Sequence, residues 1–453
     1  MAQYRVKRED YKSLQYNLIR SHSCGSGEIL TDLQIRAILL ARLTSIMKGA
    51  SGIHPEVPVL LSNLLNFEIY PLIFEHGGVG ASGDLIQLAH IALVLIGEGE
   101  VRNKGKITPS NLAFNELNLK PINIHIREGL SLINGTSAMT GIGLINFYNA
   151  KNLLNWSLLC SITINEIVES FDDHFSEPLN KLKEHSGQNI IANAMRNLLK
   201  DSQLIQKRKE IFFQNINGYL KYSRKVQEYY SLRCIPQILG PIYDTLSNSE
   251  TVLISEINSV NDNPVIDLEN KTVLHGGNFH GDYVSFEMDK IKIAITKLSL
   301  LIERQLNFLL NDKLNEILPP FINIGKLGTD LGMQGMQFTA VSTTAENQTL
   351  SYPMYVHSIS TNLDNQDIVS MGTNSANLAN KVIDNSYQIL AVLSIAVSQA
   401  IDYLGIYPKL SSQSKFLFNQ VRKYIDLIKN DQPAYKEIAN LKTSIINTKL
   451  DYI

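Results

Sequence analysis

The stretch "FEHGGVGASGDLIQLAHIALVLIGEGEV", residues 74–101, decides the fold and points at the chemistry. A glycine-packed loop runs straight into an apolar helical pattern, and at the junction stand three small residues, Ala81, Ser82 and Gly83. A phosphate-binding loop needs a lysine that this one lacks. A nucleophile elbow centres its serine between two glycines, whereas Ser82 stands off-centre between Gly80 and Gly83. Two readings remain. In the plainer one, Ser82-Gly83-Asp84 caps the helix after a flexible loop. In the other, the backbone itself reacts. If the loop bends sharply, the Gly83 amide nitrogen attacks the Ala81 carbonyl carbon, and loss of water closes a five-membered imidazolone. Loss of the Ser82 hydroxyl then leaves an exocyclic methylene. Gly83 has no Cβ to obstruct the attack, Ser82 supplies the leaving hydroxyl, and Ala81 is small enough for the turn. Gly77, Gly78 and Gly80 permit the approach, and a helix beginning near Asp84 brings its positive pole close to the ring. By itself the tripeptide favours the cap.

Beyond this stretch the composition is that of a globular protein. A chain of 453 residues can bury a large core. With 44% hydrophobic and 19% charged residues and a net charge of -2, nothing argues for a nucleic-acid or membrane partner. Cys24, Cys160 and Cys234 are widely spaced and odd in number, as expected of reduced thiols in the cytoplasm rather than a disulfide frame or a zinc site. The opening "MAQYRVKRED" lacks the apolar core of a signal peptide. "ILAVLSIAVSQAIDYL" is interrupted by Ser394, Ser398 and Gln399 and ends near Asp402, which argues against a membrane span.

Helical periodicity dominates the rest, so the fold expected is mainly α. "TDLQIRAILLARLTSIMKG" has a Thr-Asp start, apolar residues at three and four spacing, and a glycine stop. Long helices are expected over 139–170, 242–258, 283–311, 335–350 and 373–405, several apolar on most faces, as in the centre of a bundle. Short hairpins are expected in "EVRNKGKIT" and "VIDLENKTVLHGG". No linker divides the chain. We expect one fold with irregular loops, in which residues 1–130 carry the tripeptide, 131–405 form a central bundle and 406–453 a charged helical appendage.

Polar loops at helix ends are where sites usually lie. Here they are "GLSLINGTSAM" (129–139), "QEYYSLRCIPQILG" (227–240), "NSVNDNPVID" (258–267), "HGGNFHGDY" (275–283) and "NQDIVSMG" (365–372). Metal chemistry fits poorly, because His76 and His90 stand fourteen apart without zincin spacing. His275 and His280 flank a glycine turn and read as loop histidines satisfied by the backbone.

Taken in order and spacing, "GGVGASGDL", "LINGT", "YSLRC", "DNP", "GGNFHG" and "NQD" with "VSMG" resemble the aromatic amino acid ammonia-lyases over nearly the whole chain. Among these, the chain most resembles bacterial tyrosine lyases. Gly78 departs from relatives that often carry serine there. The resemblance implies a mostly helical homotetramer with shared active sites. It also implies 4-methylideneimidazol-5-one (MIO) built from Ala81-Ser82-Gly83, with no external cofactor and no metal. The reaction implied removes ammonia from an aromatic L-amino acid to leave a trans-α,β-unsaturated acid. An electrophile that captures the amine improves a poor leaving group, and a base removes the β-proton.

By the same resemblance Arg233 holds the substrate carboxylate, which its planar fork suits. Tyr230 and Asn134 hydrogen-bond the substrate or the ring, and Phe279 packs nearby. Gln227, Tyr230 and Arg233 stand three apart and would share one side of a helical turn. Two positions bear on selectivity. Ser21-His22 matches the pair found in histidine lyases, or a phenol bonded to His22. Gln366 replaces the glutamate of histidine lyases and resembles the phenylalanine and tyrosine enzymes. Loss of a carboxylate partner is the larger chemical loss for an imidazole, so tyrosine is favoured over histidine. Aminomutases use the same ring and stay open. The family's upstream glycine-tyrosine loop, source of the β-proton base, has no match in residues 1–14, where Tyr4 and Tyr11 lack its context. We therefore expect that some tens of preceding residues are absent, and that the chain as written is a weak lyase or a catalytically silent scaffold.

Overall fold

Thr31 opens the first long helix as its sequence indicates. Its hydroxyl accepts from the Gln34 amide while the Gln34 side chain accepts from the Thr31 amide, a reciprocal capping box. The computed structural model describes residues 5–208 and 226–453, so Tyr4 lies outside the described residues. The helices in chain order are α1 (Tyr11–His22), α2 (Asp32–Met47), α3 (Glu56–Asn66), α4 (Leu85–Leu95), α5 (Ser110–Glu116) and α6 (Glu128–Ile133). They continue with α7 (Ser137–Ile167), α8 (Glu177–Lys181), α9 (Ser186–Leu198), α10 (Tyr230–Arg233), α11 (Ile235–Ile257) and α12 (Asp282–Leu310). Last come α13 (Asp312–Asn315), α14 (Gln334–Leu350), α15 (Gly372–Leu404), α16 (Ser412–Val421) and α17 (Tyr435–Asn447).

All five long helices expected from periodicity are present, and the fold is mainly α. The largest boundary difference is α11, which begins at Ile235 rather than near 242. Pro236 occupies its first turn, where a missing N–H is tolerated, and Pro241 lies inside it, so the prolines do not mark its start. Both expected hairpins form, β4 (Glu100–Asn103) with β5 (Lys106–Pro109) and β6 (Val265–Asp267) with β7 (Thr272–Leu274). The sequence pattern missed β2 (Ile69–Pro71), which adds to β4. It also missed the pairing of β1 (Ser26–Ile29) with β3 (Phe74–His76). Segments of three or four residues are too short for alternation to register.

The chain forms two units, each assembled from separate stretches. The first comprises residues 1–147, 249–290 and 353–380. Within it α1 packs on α4 and α6, and α2 on α3. The first turns of α7 meet α12 and α15, where the Asn146 side chain approaches Met288 and donates to the Ala376 carbonyl at 2.7 Å. The second unit comprises residues 148–248, 291–352 and 381–453. There α7 touches α12 through Ser161 and Gln305, and α15 through Cys160 and Ser394. Asn347 of α14 donates to Ser386 of α15. Leu417, Val421, Leu441 and Ile445 of α16 and α17 are buried. Among the described residues, α15 is the one helix long and apolar enough to cross a membrane, and 78% of its apolar window is buried within the protein, as in a core helix.

Candidate active site

The tripeptide lies on a tight turn. Gly80 and Gly83 pair as an isolated antiparallel bridge, Ser82 has φ +58° and Gly83 φ +79°. The left-handed region is unfavourable for a residue with a Cβ, and glycine at 82 would relieve it. The position nevertheless carries a hydroxyl. Gly83 has no such latitude, because a Cβ there would collide with the Gly135 carbonyl. Gly135 clamps the turn from one side, its N–H donating to the Ser82 carbonyl at 3.2 Å and its carbonyl accepting from the Asp84 amide at 2.7 Å. On the other side the Met371 amide donates to the Val79 carbonyl at 3.1 Å, and Ala81 is buried with Val369 and Met371. The Gln366 side-chain amide donates to Ser82 Oγ at 3.2 Å. A residue without a Cβ at 83, a hydroxyl at 82 and a buried methyl at 81, held in a closed turn, fit the precursor of a backbone-derived ring.

Asp84 departs from the plain cap reading. It precedes α4 but makes no side-chain cap to that helix. Its carboxylate instead accepts from the Ala138 and Met139 amides at the start of α7, each at 2.8 Å, and from the Thr373 hydroxyl at 2.6 Å. Burial pushes this carboxyl up to about 6, against the hydrogen bonds from Thr373, Met139 and Ala138. A carboxyl raised in the folded state binds its proton more tightly folded than unfolded. Its contribution to stability therefore falls as pH rises from 3.8 to about 6. We expect Asp84→Ala to destabilise the protein by about 2–4 kcal/mol, since three donors lose their acceptor in a buried site. Asp84→Asn keeps an acceptor for both amides and should cost about 1 kcal/mol or less. Urea unfolding of both variants checks this, and equal losses would contradict the cap.

The sequence reading missed Arg42. The residue is buried on the apolar stripe of α2, in register with Ile35, Ile38, Leu39 and Ile46. It donates to the Asn134 carbonyl at 2.9 Å and to the Ser131 carbonyl, fixing the "LINGT" loop that clamps the turn. Burial lowers its guanidinium to about 10, with Asp262 opposing. A charge at helical spacing among core residues was the available signal. Asn134 itself is buried, and its side-chain oxygen has no hydrogen-bond partner among the described residues.

The second unit holds Gln227, Tyr230 and Arg233. Only Tyr230 and Arg233 share a helical turn, with the guanidinium 4.8 Å from the ring centroid. Gln227 lies before α10, so the expectation of one continuous helical face is corrected there. Gln227 and Tyr230 still line one cavity of about 680 Å³, whose wall includes the Tyr229–Phe308 ring pair. No carboxylate among the described residues pairs with Arg233, and its Nε is buried without a hydrogen-bond partner.

Ser21 and His22 end α1 in the first unit. The His22 Nδ1 lies 2.9 Å from the Leu18 carbonyl and 3.0 Å from Ser21 Oγ. A carbonyl only accepts, so Nδ1 carries a hydrogen directed at Leu18. Phe279 sits half-buried on the turn before α12. His280 pairs with Asp282 at 3.0 Å rather than with backbone alone. His90 Nε2 accepts from the Gly25 amide at 3.1 Å, and no metal-holding cluster occurs among the described residues.

Comparison with known proteins agrees with this geometry. The family model described as aromatic amino acid lyase matches residues 1–423. A histidine ammonia-lyase of Bacillus cytotoxicus is 39% identical over 97% of this chain and 85% of its own length. A tyrosine 2,3-aminomutase of Myxococcus fulvus is 40% identical over 95% of this chain and 82% of its own. The solved tyrosine aminomutase of Streptomyces globisporus superposes with a TM-score of 0.94 at 35% identity, over 99% of this chain and 85% of that one. With the glycine-clamped turn and its ordered loops already in place, these matches make the chain a member of the aromatic amino acid lyase family, an enzyme of the carbon–nitrogen lyase class.

Proposed function

We propose that the chain removes ammonia from L-tyrosine to give trans-4-coumarate, using MIO formed from Ala81-Ser82-Gly83. The observation that carries this reading is the left-handed Ser82 in a turn closed between Gly80 and Gly83 and clamped by Gly135. When formed, the ring supplies an electrophile for the substrate. The remaining work falls to side chains. Arg233 holds the carboxylate with its fork, uncommitted to any acidic residue among those described. Asn134 offers to the substrate ammonium a buried oxygen without a partner among the described residues, and Tyr230 adds a hydroxyl beside Arg233. Phe279 packs against the substrate ring. His22 Nε2 accepts from the phenol, since Leu18 holds the other ring nitrogen as a donor. Neutral Gln366 suits a phenol better than an imidazole. The assembly we propose is a cytoplasmic homotetramer.

Histidine is the second reading. Ser21-His22 matches the histidine lyase pair, and a histidine ammonia-lyase is 39% identical. A β-amino acid product is the third, because relatives at 40% identity are tyrosine aminomutases. Incubation with tyrosine, histidine and phenylalanine, followed by assay of ammonia, unsaturated acid and β-amino acid, separates them. Ammonia with 4-coumarate supports the proposal. Urocanate or β-tyrosine as the main product replaces it, and no product from any of the three sinks the enzyme reading for this chain.

His22→Phe is expected to lower the tyrosine to phenylalanine ratio of kcat/KM by on the order of 10–100-fold, as the phenol loses its acceptor. Competition between the two substrates measures it. An unchanged ratio contradicts the role given to His22.

A further inference from the structure

Gln366 lies against the tripeptide. Its side-chain amide donates to Ser82 Oγ at 3.2 Å, the hydroxyl that must leave if the closed ring is to gain its exocyclic methylene. Its other end is held, with Gln366 Oε1 accepting from the Thr361 hydroxyl at 3.0 Å. The backbone pins the same two residues, Thr361 N to Gln366 O at 3.1 Å and Gln366 N to Thr361 O at 3.3 Å. Between them Asn362, Leu363 and Asp364 have φ of 52°, 54° and 61°. Three consecutive left-handed residues with a Cβ are costly, and Leu363 is fully exposed, so burial of that side chain does not offset the strain. The side chain by which this hairpin hydrogen-bonds the tripeptide is that of Gln366.

We propose that Gln366 is a positioning residue for maturation, holding the Ser82 hydroxyl for its elimination and released by that same step. This rests on the reading that Ala81-Ser82-Gly83 cyclises. In the elimination the Ser82 Cα–H and Cβ–Oγ bonds break and a Cα=Cβ bond forms. The proton and hydroxide depart together as one water. Charge builds on Oγ as it leaves, and an amide donor already aimed at that oxygen stabilises it without reorganisation. The hydrogen bond cannot outlive the reaction, because its acceptor departs. The Gln366 amide then faces the site with a free donor, still anchored by Thr361. One residue thus serves maturation first and substrate contact afterwards, which accounts for a selectivity position lying against the precursor hydroxyl.

Intact mass with peptide mapping across residues 74–101 tests this, following wild type, Gln366→Leu and Thr361→Val over time after synthesis. Wild type should end two waters lighter than encoded. Gln366→Leu should accumulate a species one water lighter with the Ser82 hydroxyl retained, its second loss slowed on the order of 10–100-fold. Thr361→Val should slow the same loss by a smaller factor, and it decides the matter if Gln366→Leu lacks a cooperative thermal transition. Two-water loss at the wild-type rate in the folded variants overturns the proposal. A folded wild-type chain at full encoded mass overturns instead the cyclisation on which it rests.

Discussion

Ser82→Ala is expected to lower kcat/KM by at least on the order of 10³-fold, about 4 kcal/mol of transition-state stabilisation, while leaving the fold intact. Alanine occupies the left-handed position about as readily as serine, so the turn between Gly80 and Gly83 persists at φ +58°. The losses to stability are confined to the hydrogen bond from Gln366, about 1 kcal/mol. Without a hydroxyl on Cβ the second dehydration has nothing to expel, and no exocyclic methylene arises. Steady-state assay with circular dichroism as the folding control checks the prediction. A folded Ser82→Ala protein of near wild-type activity would refute the assignment of the tripeptide.

Arg233→Met is expected to lower kcat/KM by on the order of 10²–10³-fold, chiefly through KM, since a charge-assisted two-pronged contact to a carboxylate is worth about 3–4 kcal/mol when shielded from water. Arg233→Lys keeps the charge but not the fork, and should recover only part of the loss. No carboxylate among the described residues competes for this side chain. It stacks at 4.8 Å on Tyr230, and its Nε is buried without a hydrogen-bond partner among the described residues. Michaelis constants for the two variants measure the effect. An unchanged KM in Arg233→Met would remove the residue from the carboxylate site.

Much of this was legible in the sequence because the signals were periodic or local. The helices α7, α12, α14 and α15 each carry several turns of apolar spacing, and their observed limits lie within a few residues of those read from the pattern. By residue types alone the tripeptide Ala81-Ser82-Gly83 favoured a helix cap, and the ring reading came from the ordered motifs that resemble the ammonia-lyases. What the pattern could not supply were contacts across long separations. Asp84 looked like the cap of its own helix, and only the fold brings its carboxylate to α7, over fifty residues on. Arg42 reads as one polar residue in an amphipathic helix until the "LINGT" loop is placed over it. The three-residue spacing of Gln227, Tyr230 and Arg233 suggested one helical face, but helical geometry begins at Tyr230. The pairing of Gln366 with Ser82 spans 284 residues and has no local sequence signal.

The claim that the clamped turn matures into the electrophile is tested most directly by the mass of the wild-type fragment containing Ala81, Ser82 and Gly83. The account predicts that, in the folded protein, this fragment is lighter than its encoded sequence by two waters, with the loss confined to the three residues. A fragment at full encoded mass from folded protein would contradict it.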